Sequence, residues 1–258
     1  MCSTRSAIYV AFDQGRASPE EPERSELGAL DPRTLAVRWK QPIVAGRDVH
    51  SMCATPEGVL AASTGTDEVL KLRIDPARGV LSEEVVWHVG GDARGDQHHL
   101  NGVAPVGGRT LVCGFGSRPK PDAWLEARRG FVIALADGEQ VLGPLYHPHS
   151  ICELPDGEFA VCESPRRRVV TNKGRSSEAL PGYARGSCVA RGKLYVGTSR
   201  NRHPSEPRSL LPYDPSSSPV DGEGIAAVCE LDLTSLVVER IIELKPHGRE
   251  VYDIVGLP

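Results

Sequence analysis

Four of the chain's eight histidines fall where a repeating unit would bring them together. His50, Asn101, His149, Arg185 and Tyr252 each begin a short apolar run, and Asp48, His99, His147, Tyr183 and Glu250 stand two residues earlier. Imidazole nitrogens gathered in one place suit zinc, iron, copper or nickel. Three of them with a carboxylate or an open position make a catalytic arrangement. The expected metal ligands are His50, His99 and His149, with His147 or Glu250 completing or supporting the set. Asp48 and Asn101 are expected to orient the ligating rings by accepting their second N–H. Arg185, whose planar fork grips carboxylates at two points, is expected to hold an anionic group of a substrate. Tyr252 and Glu250 are candidate proton donors or acceptors, provided burial or a metal moves their pKa toward the working pH.

The same residues have plainer readings. Polar side chains at strand starts often satisfy backbone carbonyls around a wet channel, and an axial metal could clamp the fold without catalysing anything. Outside the set, His98 is expected to face away from His99 and pack, and His88 to be solvated. His203 and His247 fall in loops, and Arg166 to Arg168 reads as a solvated turn.

The elements that would gather these groups are visible as an internal repeat. HSMCATPEGVLAAS, NGVAPVGGRTLVCG, HSICELPDGEFAVCES and RGSCVARGKLYVGTS are four copies of one hairpin, each turning at a glycine: Gly58, Gly108, Gly157 or Gly192. Two further strand-like runs follow in most copies, such as EVLKLRID and SEEVVWHV. Four strands per unit make a propeller blade. The N-terminus supplies AIYVAFD, SELGALDP and LAVRWKQPI, and the C-terminal EVYDIVGLP reads as the innermost strand missing from that set. The expected fold is therefore an all-β, five-bladed propeller forming a single domain over residues 1–258. Pairing of the C-terminal strand with the N-terminal blade would close the ring and remove the unpaired edge. The third hairpin copy has thin outer strands, RVVTNK and SSEALP. Alternation along each innermost strand should send residues two apart to the same side, toward the channel mouth. The long connections at 116–130 and 199–224 should fold over that mouth.

Composition narrows the function classes. The 258 residues are 40% hydrophobic and 25% charged, with a net charge of −4. That balance gives no electrostatic case for nucleic acid or an anionic membrane. No apolar run is long enough to cross a bilayer, and the first residues lack a secretory pattern, so the expected location is the cytoplasm. Seven cysteines without CxxC spacing, most of them in apolar strands, read as buried thiols.

The segments HHLNGVA, YHPHSICELPDG, GYARGSCVARGKLYVGTSRNR and GREVYDIVGLP resemble a family of uncharacterised bacterial β-propeller proteins of unknown function. The resemblance spans residues 95 to 258 and rests on the Pro-His-Ser, Arg-Gly and C-terminal EVYD-like motifs. Asn101 departs from the histidine of the family's corresponding segment. No activity transfers with this resemblance. The five-bladed architecture also resembles glutaminyl cyclases of the plant type and arabinan-cleaving hydrolases, without their catalytic motifs.

The sequence thus predicts a metal-dependent enzyme acting on a small molecule or a modified amino acid or peptide. A divalent transition metal is expected, with iron- or copper-dependent oxidoreductase chemistry preferred. The alternatives are a zinc-dependent hydrolase or cyclase, and a non-catalytic propeller that binds a ligand or protein.

Overall fold

The computed structural model describes residues 1–13, 25–90, 95–117, 126–200, 224–244 and 250–257. Nineteen strands form five antiparallel sheets, consecutive along the chain. Blade 1 is β1 (Cys2–Ser3), β2 (Ile8–Asp13), β3 (Ser25–Leu30) and β4 (Val37–Ile43). Blade 2 is β5 (Val49–Thr55), β6 (Gly58–Ser63), β7 (Glu68–Asp75) and β8 (Gly79–His88). Blade 3 is β9 (Leu100–Val106), β10 (Arg109–Gly114), β11 (Gly130–Ala134) and β12 (Gln140–Leu145). Blade 4 is β13 (Pro148–Glu153), β14 (Phe159–Glu163) and β15 (Arg168–Thr171). Blade 5 is β16 (Tyr183–Ala190), β17 (Lys193–Ser199), β18 (Ala227–Asp232) and β19 (Val238–Glu243). The architecture is the expected five-bladed propeller. Among the described residues no helix is long and apolar enough to cross a membrane.

Local chemistry explains the hairpins. The two-residue loops Gly107-Gly108 and Arg191-Gly192 have positive φ at both positions, the primed turn whose twist matches antiparallel strands. Blade 4 has no fourth strand. The expected strand at SSEALP makes only the bridge between Ser176 and Val170. Side chains take over instead: Ser177 Oγ accepts the Val169 N–H (3.0 Å), and Leu180 N–H reaches the Arg167 carbonyl (2.6 Å). Pro181 has no N–H to extend a ladder. This stretch covers the edge of β15 as an irregular strap.

Four apolar clusters lie between consecutive blades. Leu27 and Ile43 meet Leu70 and Leu72 between blades 1 and 2. Val69 meets Leu100 and Val112 between blades 2 and 3, and Val132 meets Phe159 and Val161 between blades 3 and 4. Cys152 and Cys162 pack with Leu194, Val196 and Cys229 between blades 4 and 5. All seven cysteines are free thiols. Cys53 and Cys188 are only partly buried, but burial still raises their pKa, to about 12 and about 11, which keeps the reactive thiolate scarce.

The seam between blades 5 and 1 is built differently. The C-terminal segment 250–257 closes it but forms no ladder, and the innermost strand of blade 1 is the short β1. On one side, Val251 exchanges N–H and carbonyl contacts with Ser199 Oγ (3.1 and 3.4 Å). On the other, Ser3 Oγ donates to the Gly256 carbonyl (2.7 Å), and the Met1 ammonium binds the Asp253 carboxylate. Gly186 makes the approach possible, because a Cβ there would stand 2.4 Å from Asp253 Cα. The tail is thus a wedge held by side chains, and it delivers Tyr252 to the same end of the channel as the strand starts.

Candidate active site

Each of the four hairpin copies interrupts its register where the candidate residue sits. The β5–β6 pairing steps from Val49 to Ser51, leaving His50 extra, and β9–β10 steps from Leu100 to Gly102, leaving Asn101 extra. The β13–β14 register breaks just after His149, which pairs with Cys162 and leaves Ser150 extra, and β16–β17 breaks between Ala184 and Ser187, around Arg185. A bulge places two residues opposite one and re-aims a side chain. His50, Asn101, His149, Arg185 and Tyr252 consequently line one cavity together with Asp253. Its free volume is about 20 Å³, room for about one or two waters, or for the head of a small polar group.

The expectation that residues two apart share a side by strand alternation is corrected here. Asp48, His99 and His147 precede their strands in left-handed backbone, with φ of +50°, +53° and +43°. They are turn residues, so strand periodicity does not govern their direction. Such conformations are costly for non-glycine residues and cluster at sites where surrounding structure enforces them. Asp67 enforces one of them: its Oδ2 accepts the N–H groups of Gln97 (2.6 Å) and His98 (2.8 Å), fixing the turn that carries His99.

The partners of His50 favour its protonated form. Asn101 Nδ2 donates to the His99 carbonyl (2.8 Å), which orients the amide and leaves Oδ1 as acceptor. His50 Nδ1, 2.9 Å from that oxygen, therefore carries a proton. Its Nε2 lies 3.1 Å from Asp48 Oδ1 and 2.9 Å from the Tyr252 hydroxyl. A carboxylate only accepts, so the Asp48 contact favours a proton on Nε2 as well. Burial opposes this charge, but the field and hydrogen bond of Asp48 outweigh burial and the repulsion from Arg185, and the pKa rises above 6.5.

His149 is held neutral. Its Nδ1 stands 3.1 Å from the His147 carbonyl and 2.7 Å from Ser164 Oγ. Facing a carbonyl, Nδ1 carries the proton, which leaves the Nε2 lone pair on a ring that lines the cavity. Burial first, and then the charge of Arg185, push its pKa well below 6.5. His99 is likewise lowered, chiefly by burial, although Asp96 Oδ1 contacts its Nδ1 at 3.0 Å and pulls the other way.

Arg185 is only 5% exposed, yet among the described residues neither Nε nor Nη1 has a hydrogen-bond acceptor. Nη1 lies 4.0 Å from Glu250 Oε2, beyond hydrogen-bond reach. The guanidinium carbon sits 4.5 Å from the centre of the Tyr252 ring and 5.3 Å from that of Tyr183. Burial pushes the Tyr183 hydroxyl well above its ordinary pKa. Glu250 is thus a neighbour of Arg185, whereas Tyr252 belongs to the cavity wall.

The expected metal ligands come close together. The His50 and His99 ring centres are 5.2 Å apart. Both His50 nitrogens face protein partners, and Nδ1 of His99 and of His149 faces Asp96 and the His147 carbonyl. His147 is 2% exposed and stacks on Phe115, with centres 4.2 Å apart. Among the described residues no three His, Cys, Asp or Glu side chains are grouped to hold a metal. Asp48 and Asn101, expected to orient ligating rings, both contact His50.

Phe115 is the residue sequence reasoning missed. It is 1% exposed and packs against His99, His147 and His149, with ring centres 4.6, 4.2 and 5.2 Å away. Its only signal was an aromatic directly following a strand-ending glycine. Asp96 and Ser164 were also missed. Other expectations fare variously. His98 packs against Phe131, and His88 is exposed. The solvated turn at Arg166 to Arg168 is corrected: Arg166 and Arg168 pair with buried Glu163 at 2.7 Å each, and Arg167 is 2% exposed. Arg128, at the end of the first long connection, lies over the Tyr146 ring beside His147. His203, His247 and the centres of both long connections, including 118–125 and 201–223, lie outside the described residues.

Fold comparison agrees with this architecture. Luciferin-regenerating enzyme is 13% identical, with a TM-score of 0.59 over 84% of this chain and 69% of that chain. The calcium-binding protein regucalcin from Agrobacterium tumefaciens is 15% identical, with a TM-score of 0.57 over 92% and 74%. A protein of unknown function from Bacteroides caccae is 14% identical, with a TM-score of 0.50 over 88% and 73%. No family model and no curated protein sequence matches the chain. At these identities the likeness shows the fold alone; the five blades and the histidine- and arginine-lined cavity are read from this chain's own structure.

Proposed function

We propose that this propeller is an enzyme that moves protons on a small substrate, with neutral His149 as the base and the His50–Tyr252 pair as the acid. One observation carries the reading: the hydrogen-bond partners of two imidazoles on one cavity favour opposite charge states. Environments that drive like groups apart in pKa mark the acid and the base. In the forward step a substrate proton passes to His149 Nε2, and the electron pair of that bond moves onto a substrate oxygen. The oxygen takes a proton from His50 Nε2, directly or through the Tyr252 hydroxyl. Asp48 then faces a neutral ring until the proton returns.

The iron- or copper-dependent redox chemistry expected from the histidine count is not carried into this reading, because both His50 nitrogens already face protein partners. Two carboxylates near the cavity are already engaged, Asp48 with His50 and Asp253 with the Met1 ammonium, and a divalent cation there would compete with those contacts. No step of the reading runs through one. The second reading, a non-catalytic binding propeller, is favoured by the small size of the cavity.

The test is proton exchange. Small hydroxy and oxo compounds are incubated with the chain in deuterium oxide, and C–H loss is followed by NMR. His149→Gln and His50→Gln, each verified as folded by circular dichroism, should slow exchange by about 10²- to 10⁴-fold. Ligand binding without exchange on any compound would favour the binding propeller.

A further inference from the structure

Resting on the acid–base reading of the same cavity, we propose that the substrate is a small carboxylic acid and that it enters with its carboxylate toward Arg185. The guanidinium is nine-tenths buried on the cavity wall, and two of its nitrogens lack acceptors among the described residues. Buried N–H groups are almost always satisfied, and a buried cation without a hydrogen-bonded partner is more unusual still. The nearby carboxylates do not fill this need. Glu250 is 4.0 Å away, Asp253 holds the Met1 ammonium, and Asp48 holds His50. The two tyrosine rings face the guanidinium with π-density and offer it no acceptor lone pair in reach.

Size decides among anions. A cavity of about 20 Å³ suits a planar carboxylate head better than a tetrahedral phosphate, with the rest of the molecule extending through the mouth. The charges then interlock. Arg185 depresses the basicity of His149, so a bound carboxylate that neutralises Arg185 makes His149 a stronger base. Occupancy of the anion subsite would switch on the base, which ties catalysis to the presence of the right substrate end.

The experiment is a titration of the chain with formate, acetate and glycolate at constant ionic strength, followed by thermal unfolding and by the Arg185 Nε–H NMR signal. Saturable stabilisation by the carboxylates is expected, with a shift of that signal on adding formate to the unaltered chain. Arg185→Gln should weaken binding by about tenfold or more, and inorganic phosphate should bind at least about tenfold more weakly than formate. Unchanged carboxylate affinity in folded Arg185→Gln would overturn the proposal, as would absence of saturable binding together with an unmoved Arg185 signal. Binding through Arg185 without proton exchange supports the carboxylate subsite and removes only the acid–base reading. Proton exchange on neutral carbonyl compounds that Arg185→Gln leaves unchanged overturns the subsite and keeps the acid–base reading.

Discussion

Replacing Arg185 by methionine should make the protein more stable while abolishing its binding of small carboxylates. Arg185 is 5% exposed and two of its nitrogens lack acceptors among the described residues, each such donor costing about 1–3 kcal/mol. Against that stand the Tyr252 ring at 4.5 Å, worth about 0.5–2 kcal/mol, and an ion pair at 4.0 Å with Glu250, worth at most about 1 kcal/mol. Methionine keeps the length and the contact with the rings while removing the buried charge. Arg185→Met should therefore gain about 1–3 kcal/mol in urea denaturation, with Tm rising roughly 2–4 °C per kcal/mol. Buried charges replaced by apolar side chains often behave this way. A loss of more than about 1 kcal/mol with intact secondary structure would refute the reasoning, since it would make Arg185 a structural clamp.

Further outcomes follow from the same geometry. His149 has a folded pKa below its unfolded value, so the stability it contributes is present above pH 6.5 and is lost as pH falls toward the folded value. Its removal in His149→Leu should flatten the acid limb by up to about 1.4 kcal/mol per pH unit, read from urea curves at several pH values. His50 has the opposite sign: its contribution is full below 6.5 and is lost as pH rises through its raised folded pKa. Asp48→Asn should lower the His50 pKa, measured by NMR titration of its ring, and should move the pH profile of any proton exchange with it. Phe115→Ala should cost about 3–5 kcal/mol and disturb the ring signals of His99, His147 and His149 together. Asp253→Asn loosens the tail from Met1, so hydrogen exchange across 250–257 should accelerate while blades 2 to 4 keep their protection.

The blades were legible because four hairpins repeat one pattern, and the Gly107-Gly108 and Arg191-Gly192 turns require backbone that glycine supplies. The convergence of His50, Asn101, His149, Arg185 and Tyr252 was legible for the same reason, since equivalent positions in a ring meet at its axis. Their direction was not. It depends on a bulge in each of the four hairpins and on left-handed turns at Asp48, His99 and His147, and neither alters residue spacing. The charge states were also hidden, because the orientation of the Asn101 amide is set by the His99 carbonyl, a backbone atom that no motif reveals. A count of histidines therefore pointed to a metal, whereas the hydrogen-bond partners favour a protonated His50 and a neutral His149. Blade 4's missing strand and the wedge-like tail likewise turn on side-chain contacts such as Ser177 with Val169 and Ser3 with Gly256.

The most direct test is nitrogen-15 NMR of the histidine rings at pH 6.5, the ordinary midpoint for imidazole. The predicted spectrum shows His50 predominantly protonated on both nitrogens, while His149 is neutral with its proton on Nδ1. Two rings of the same charge state, or a proton on His149 Nε2 in place of Nδ1, would contradict the account.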